Sequence, residues 1–134
     1  MVFFFLQLKK TYNNLNLLSI RVCWSNRYLK VLQRSVYKNI IINAIDAMTS
    51  GKGELKLVTN SIDGRCVLQI NDNGCGISQE NLKNIFNPYF TNKPGGLGLG
   101  LATTYNILRL NHVRVNVESE EGKGTCFILS FPHE

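Results

Sequence analysis

Apolar residues recur along this chain with two periods, and each change of period marks an element. From about Arg27 to Met48 they fall at 29, 32, 36, 40, 44 and 48, with 37, 41 and 45 beside them, which predicts a helix with one buried face. Gly51, after Ser50, suits a left-handed stop for it. Glu54 to Thr59 and Cys66 to Asn71 alternate apolar and polar positions around Asp63-Gly64, the pattern of a hairpin. Ser78 predicts the N-cap of a short helix reaching about Asn84, and a further helix follows from Leu99 to about Leu110. Val113 to Ser119 and Thr125 to Phe131 predict a second hairpin around Gly122-Lys123-Gly124. Nearer the amino terminus, Val2 to Leu8 and Leu17 to Cys23 have strand-like content, with Asn13-Asn14 as the turn between them. Strands, helix, hairpin, helices, hairpin is the order of an α+β layer, with helices packed on one face of a sheet.

At 134 residues the chain fits one domain, 1–134, and neither a repeat nor a linker divides it. Cys23, Cys66, Cys75 and Cys126 form no CxxC pair, and the histidines are His112 and His133. This argues against a structural metal cluster and for reduced thiols in a cytoplasmic protein. Met1 to Leu8 is apolar but too short to span a bilayer, and Lys9-Lys10 closes it. The net charge of +6 changes the picture because of where it sits: Lys9, Lys10, Arg21, Arg27, Lys30, Arg34 and Lys38 precede Asp46, the first carboxylate. Such a basic front is either a solvated helix face or a surface for an acidic partner, nucleic acid or lipid headgroups. No interleaved aromatic platform accompanies it, so nucleic acid is disfavoured.

Three polar or glycine-rich segments carry candidate chemistry. Asn39, Asn43 and Asp46 lie at steps of four and three on the predicted first helix, a stripe of roughly 60°. Alone, that stripe is also the wet side of an amphipathic helix. Asp72-Asn73-Gly74-Cys75-Gly76 ends a strand in Asp-x-Gly-x-Gly. Asp72 can accept a hydrogen bond from an exocyclic amine, and Gly74 and Gly76 let the main chain approach a flat base, which suits adenine. Asp-Asn-Gly is equally ordinary turn chemistry. The third segment runs from Phe86 through Tyr89, Phe90, Lys93 and Gly96 to Gly98, Gly100 and Leu101. Its glycines precede a helix whose first amides can bind phosphate, with Lys93 as a mobile cation. It has neither P-loop nor dinucleotide-fold spacing. Alternation over Gly96-Leu97-Gly98-Leu99-Gly100-Leu101 predicts leucines turned inward and glycines turned toward a ligand.

Taken in order, Asn39 to Met48, Asp72 to Ile77, Ile85 to Lys93 and Gly96 to Leu101 resemble the N, G1, F and G2 boxes of the catalytic ATP-binding domain of sensor histidine kinases, in the GHKL superfamily with DNA gyrase and MutL. Val117 to Pro132 is similar to that family's closing hairpin, and the resemblance runs from Arg34 onward. It implies a two-layer α/β sandwich of the Bergerat type, with a mixed, mostly antiparallel sheet and about three helices on one face. It implies ATP and Mg²⁺ as cofactors, with Asn43 as metal ligand and Asn39 hydrogen-bonded near the phosphates. Asp72 would read the adenine amine, with Gly74, Gly76 and Ile77 shaping that end and Thr125 behind it. Phe86 and Phe90 would anchor a lid, Lys93 would approach the polyphosphate, and Gly96, Gly98, Gly100 and Leu101 would complete the phosphate end.

Hydrolases of the superfamily carry a glutamate four residues before the metal asparagine, where this chain has Asn39; an amide cannot take the proton from water, so a kinase is implied. The partner implied is a histidine-bearing dimerisation and phosphoacceptor domain, in the same parent protein or another chain, with a response regulator reached indirectly and a membrane only through parent regions. Neither His112 nor His133 has the setting of an acceptor, so the chain reads as a fragment, a truncated product or a stand-alone domain. The alternative is a degenerate module that binds ATP and docks a partner. Three features depart from the family pattern: Asn111-His112-Val113 replaces His-Gly-Gly, Asp46 stands where some members carry Lys, as in the nitrogen-regulation branch, and residues 1–25 match poorly.

Overall fold

Two antiparallel hairpins build the sheet because their apolar positions alternate in register. The computed structural model describes residues 16–20, 35–49 and 52–133. Its elements are β1 (Asn16–Ile20), α1 (Ser35–Ala47), β2 (Glu54–Ile62), β3 (Arg65–Asp72), α2 (Gln79–Leu82), α3 (Gly100–Leu110), β4 (Arg114–Glu120) and β5 (Gly124–Ser130). β2 and β3 pair from Leu55↔Asp72 to Ile62↔Arg65, leaving Asp63-Gly64 as a two-residue turn. Both turn residues have positive φ, 50° and 72°, as the twist of a tight hairpin requires.

The strand order is β1-β2-β3-β5-β4, so β3 is central and its carboxyl end opens beside α1. Leu57 faces Ile70, which in turn faces Phe127, and Leu68 faces Leu129, so three strands contribute aligned rows of buried side chains. α1 lays Val36, Ile40, Ile41 and Ala44 on that surface at helical spacing. Each fully buried aliphatic side chain contributes about 1.5–3 kcal/mol through removal from water.

The first strand differs from expectation. β1 pairs in parallel with β2, Asn16↔Glu54 through Ile20↔Val58, a partner the local pattern did not indicate. The other half of that expected pair, Val2 to Leu8 with Asn13-Asn14, lies outside the described residues, as do the first turns of the long helix and its Ser50-Gly51 stop. Among the described residues the sheet is therefore mixed, with one parallel pairing in an otherwise antiparallel ladder.

The helical layer is α1, α2 and α3. Ser78 caps α2 through its hydroxyl, which accepts from the Asn81 amide at 3.2 Å. The helix stops at Leu82 rather than Asn84, because the chain continues through three-residue turns: the Asn84 amide bonds the Asn81 carbonyl and the Asn87 amide bonds that of Asn84. α3 ends in a paired cap, with the His112 amide on the Arg109 carbonyl and the Val113 amide on that of Leu108. His112 takes the left-handed conformation there, φ 59°, and Val113 is buried with Leu108. The Asn-His-Val turn thus holds the geometry for which a glycine is the usual choice.

Candidate functional site

The carboxyl end of β3 is stitched to the two neighbouring elements by the residues that follow it. The Cys75 amide bonds the Ala47 carbonyl at 2.9 Å, closing the end of α1. Asn73 receives the Glu54 amide at 2.8 Å and donates to the Lys52 carbonyl at 3.1 Å, so it fixes the start of β2. Asp72 accepts from the Gly74 amide at 2.8 Å and from the Thr125 amide on the adjoining strand. These bonds take two of the roughly four acceptor positions of a carboxylate. Burial raises the Asp72 carboxyl above its ordinary range, and the two amide bonds only partly offset this.

Beside Asp72 opens a cavity of about 380 Å³, bounded by α1, the β3 end, α2, the 87–99 loop and the start of α3. Asn43, Asp72, Gly76, Ile77, Phe90 and Lys93 all border it. So do Gly96, Gly98, Gly100, Leu101 and Thr125. Asn39, Gly74 and Phe86 do not line it. The Asn39 amide nitrogen donates to the Gly100 carbonyl at 3.0 Å and to the Thr104 hydroxyl at 3.1 Å, so this side chain joins α1 to α3. Phe86 packs on the core and stacks on Tyr105, ring centroids 4.9 Å apart.

Two readings of the glycines change. Gly74 is small because Ala47 is close: a Cβ there would lie 2.7 Å from the Ala47 Cβ. At Gly76, φ 71°, it would lie 2.1 Å from the Glu120 carbonyl oxygen. Both glycines thus admit the protein's own chain, Gly74 against α1 and Gly76 against the β4–β5 turn. The leucines do not alternate inward either. Leu97 is 76% exposed and Leu99 39%, and only Leu101 packs on the core. The segment is an irregular loop entering a helix, and strand alternation does not apply to it.

α3 starts at Gly100 with no side-chain cap from Leu99 and no acid in its first turn. Its first amides and the positive end of its dipole therefore face the cavity without a protein anion. Across from them, Lys93 reaches α1: its ammonium lies 2.6 Å from the Asn43 amide oxygen and 2.6 Å from the Asp46 carboxylate. Lining residues absent from the expected set include Ala44, Ala47, Cys75, Asn81, Ile85 and Phe127. Ala47, four positions past Asn43, borders the asparagine stripe in helical projection, whereas Ala44 lies on the buried face of α1.

The model of the histidine kinase-, DNA gyrase B- and HSP90-like ATPase family matches residues 30–134. Sporulation kinase E of Bacillus subtilis is 38% identical over 100 residues, which is 74% of this chain and 13% of that protein. The sensor histidine kinase ZraS of Escherichia coli is 42% identical over 98 residues, 72% of this chain and 21% of that protein. Among solved structures, the mycobacterial sensor histidine kinase MprB superposes with a TM-score of 0.74 at 20% identity, covering 96% of this chain and 88% of that one. The chain thus matches only a small part of the length of these two kinases.

Proposed function

The chain belongs to the histidine kinase-, DNA gyrase B- and HSP90-like ATPase family, as a catalytic ATP-binding domain of the histidine kinase type, and from that premise we propose that it binds Mg-ATP and donates the γ-phosphate to a histidine on a separate phosphoacceptor domain in two-component signalling. One observation carries the reading: Asn43, Asp72, Gly98 and Gly100, from three distant segments, border one cavity. Asp72, beside Thr125, is the acceptor for the adenine amine, and Ile77, Ile85 and Phe127 supply apolar surface for the base. The uncapped start of α3 and the glycines before it receive the phosphates.

The donor set fits magnesium. Asn43 and Asp46 present oxygens one turn apart on α1, already gathered around one cation, the Lys93 ammonium. Magnesium takes few protein ligands and draws the remaining oxygens from phosphate and water. When bound it neutralises charge on the transferring phosphate. Asn43 would hold it.

Transfer to an imidazole is favoured over hydrolysis by the state of Asn39. It is an amide, not a carboxylate, and both hydrogens of its nitrogen are committed to α3, so it neither takes a proton from water nor swings toward one. The acceptor nitrogen then forms its bond to phosphorus as the bond to the ADP oxygen breaks.

The test is calorimetric titration of ATP with and without Mg²⁺, followed by incubation of labelled ATP with a histidine-bearing helical hairpin. Affinity that rises with Mg²⁺ and label that appears on the hairpin are expected. The Asn43→Ala protein should bind ATP with the same affinity whether or not Mg²⁺ is present. A metal-dependent gain that survives the substitution removes Asn43 from its role. Binding with no transfer to any histidine-bearing helix would instead indicate a degenerate, partner-docking module.

A further inference from the structure

We propose that Lys93, Asn43 and Asp46 form a latch that holds the 87–99 lid against α1 in the nucleotide-free protein, and that Mg-ATP opens it by taking the Asn43 oxygen from the lysine. This rests on the nucleotide reading above and adds to it a device that the bare pocket does not require.

Residues 91–97 lie on the surface, every one exposed, and Leu97 is 76% exposed. The loop closes on itself at its base through the Tyr89 amide and the Gly98 carbonyl, 2.8 Å apart, and locally through the Gly96 amide and the Lys93 carbonyl at 3.1 Å. Those bonds shape the lid without attaching it to anything. Among the described residues, the hydrogen bonds that join 91–97 to α1 are the two from the Lys93 ammonium. The Lys93 backbone amide is itself held by the Thr91 hydroxyl at 3.1 Å, which fixes the root of the side chain. An ammonium bridging a carboxylate and an amide oxygen is a charge-assisted contact, stronger than a neutral one.

Competition follows from the oxygen that is used. Asn43 has one amide oxygen, and the Lys93 ammonium lies against it. A metal drawn to the same oxygen would bring a second positive charge into contact with the ammonium, while the triphosphate offers the lysine negative charge elsewhere. Asp46 supplies the attraction that keeps Lys93 on α1 when no nucleotide is present. It is therefore a positioning residue for the lid, although it need not touch ATP.

Amide hydrogen exchange over residues 91–97 tests this in the whole chain, using wild type, Lys93→Ala, Asp46→Ala and the double variant. Without nucleotide, each single substitution should raise exchange roughly twofold to fivefold, the range an exposed ion pair spans, and the double variant should rise no further than Lys93→Ala. With Mg²⁺ and a non-hydrolysable ATP analogue at saturation, Asp46→Ala should exchange like wild type, because Lys93 has already left α1. The latch is overturned if Asp46→Ala leaves nucleotide-free exchange unchanged, if the two effects add, or if the Asp46 effect persists undiminished in the loaded protein. Failure of the nucleotide reading would show separately, as no heat on titrating wild type with Mg-ATP.

Discussion

Replacing Asp72 with Ala is expected to weaken ATP binding by about 1–3 kcal/mol, roughly fivefold to 150-fold, the range for losing a buried hydrogen bond to a charged group. The carboxylate stands at the end of the central strand, held by the Gly74 and Thr125 amides, so its direction is set before any ligand arrives. The adenine amine is a donor and needs an unprotonated acceptor. Because burial raises the Asp72 carboxyl, affinity should fall on acidification, starting at a higher pH than for an ordinary carboxylate near 3.9. The stability trend runs the other way. A folded-state value above the unfolded one means that holding Asp72 charged costs folding energy at neutral pH, and the cost fades as the group protonates. Titration calorimetry across pH, comparing wild type with Asp72→Asn to cancel the protonation of ATP itself, reads the first trend. Equal affinity and equal pH profiles in the two proteins would remove Asp72 from the adenine site.

Gly76→Ala is expected to destabilise the fold by about 2–5 kcal/mol, adding about 1–2 for a side chain in the left-handed region and about 1–3 for overpacking. The neighbour is backbone, the Glu120 carbonyl, and it cannot swing away as a side-chain tip can. The β4–β5 turn is also tied to this loop by the Gly122 amide on the Cys75 carbonyl at 2.8 Å, so displacing one displaces the other. Ser119 extends that coupling, accepting from the Ile77 amide and bonding the Thr125 hydroxyl beside Asp72. Gly100→Ala is the control: its Cβ would meet Asn39 at an ordinary 3.5 Å, and stability should change by less than about 0.5 kcal/mol. Urea unfolding midpoints compare the two, and similar losses in both would show that Gly76 is not the tight point.

What could be read from the sequence was whatever rests on local repeat. The α1 period, the Asp63-Gly64 turn and the Ser78 cap depend on residues a few positions apart, and all three are present. β2 runs on to Ile62, beyond the expected Thr59. The exposed polar pair Asn60 and Ser61 breaks the alternation there, while the ladder to Arg65 continues. The ordered boxes were expected to meet at one nucleotide, and Asn43, Asp72, Gly98 and Thr125 do border one cavity.

Illegible were contacts between distant segments. That Gly74 meets Ala47, that Gly76 meets Glu120 and that Asn39 reaches Gly100 are facts of packing between separate elements, with no trace in local spacing. Lys93 is the clearest case. As a cation near a glycine loop it reads as a phosphate ligand, yet its partners lie 47 and 50 residues earlier on α1. No helix among the described residues is long and apolar enough to cross a membrane.

A crystal structure of the chain grown with Mg²⁺ and a non-hydrolysable ATP analogue bears most directly on the convergence of three segments around one nucleotide. The expected map has the adenine amine on Asp72, the metal on Asn43, and the phosphates over Gly98 and the first amides of α3. Nucleotide bound in any other cavity, or bound here with its base away from Asp72 and its metal away from Asn43, would contradict the account.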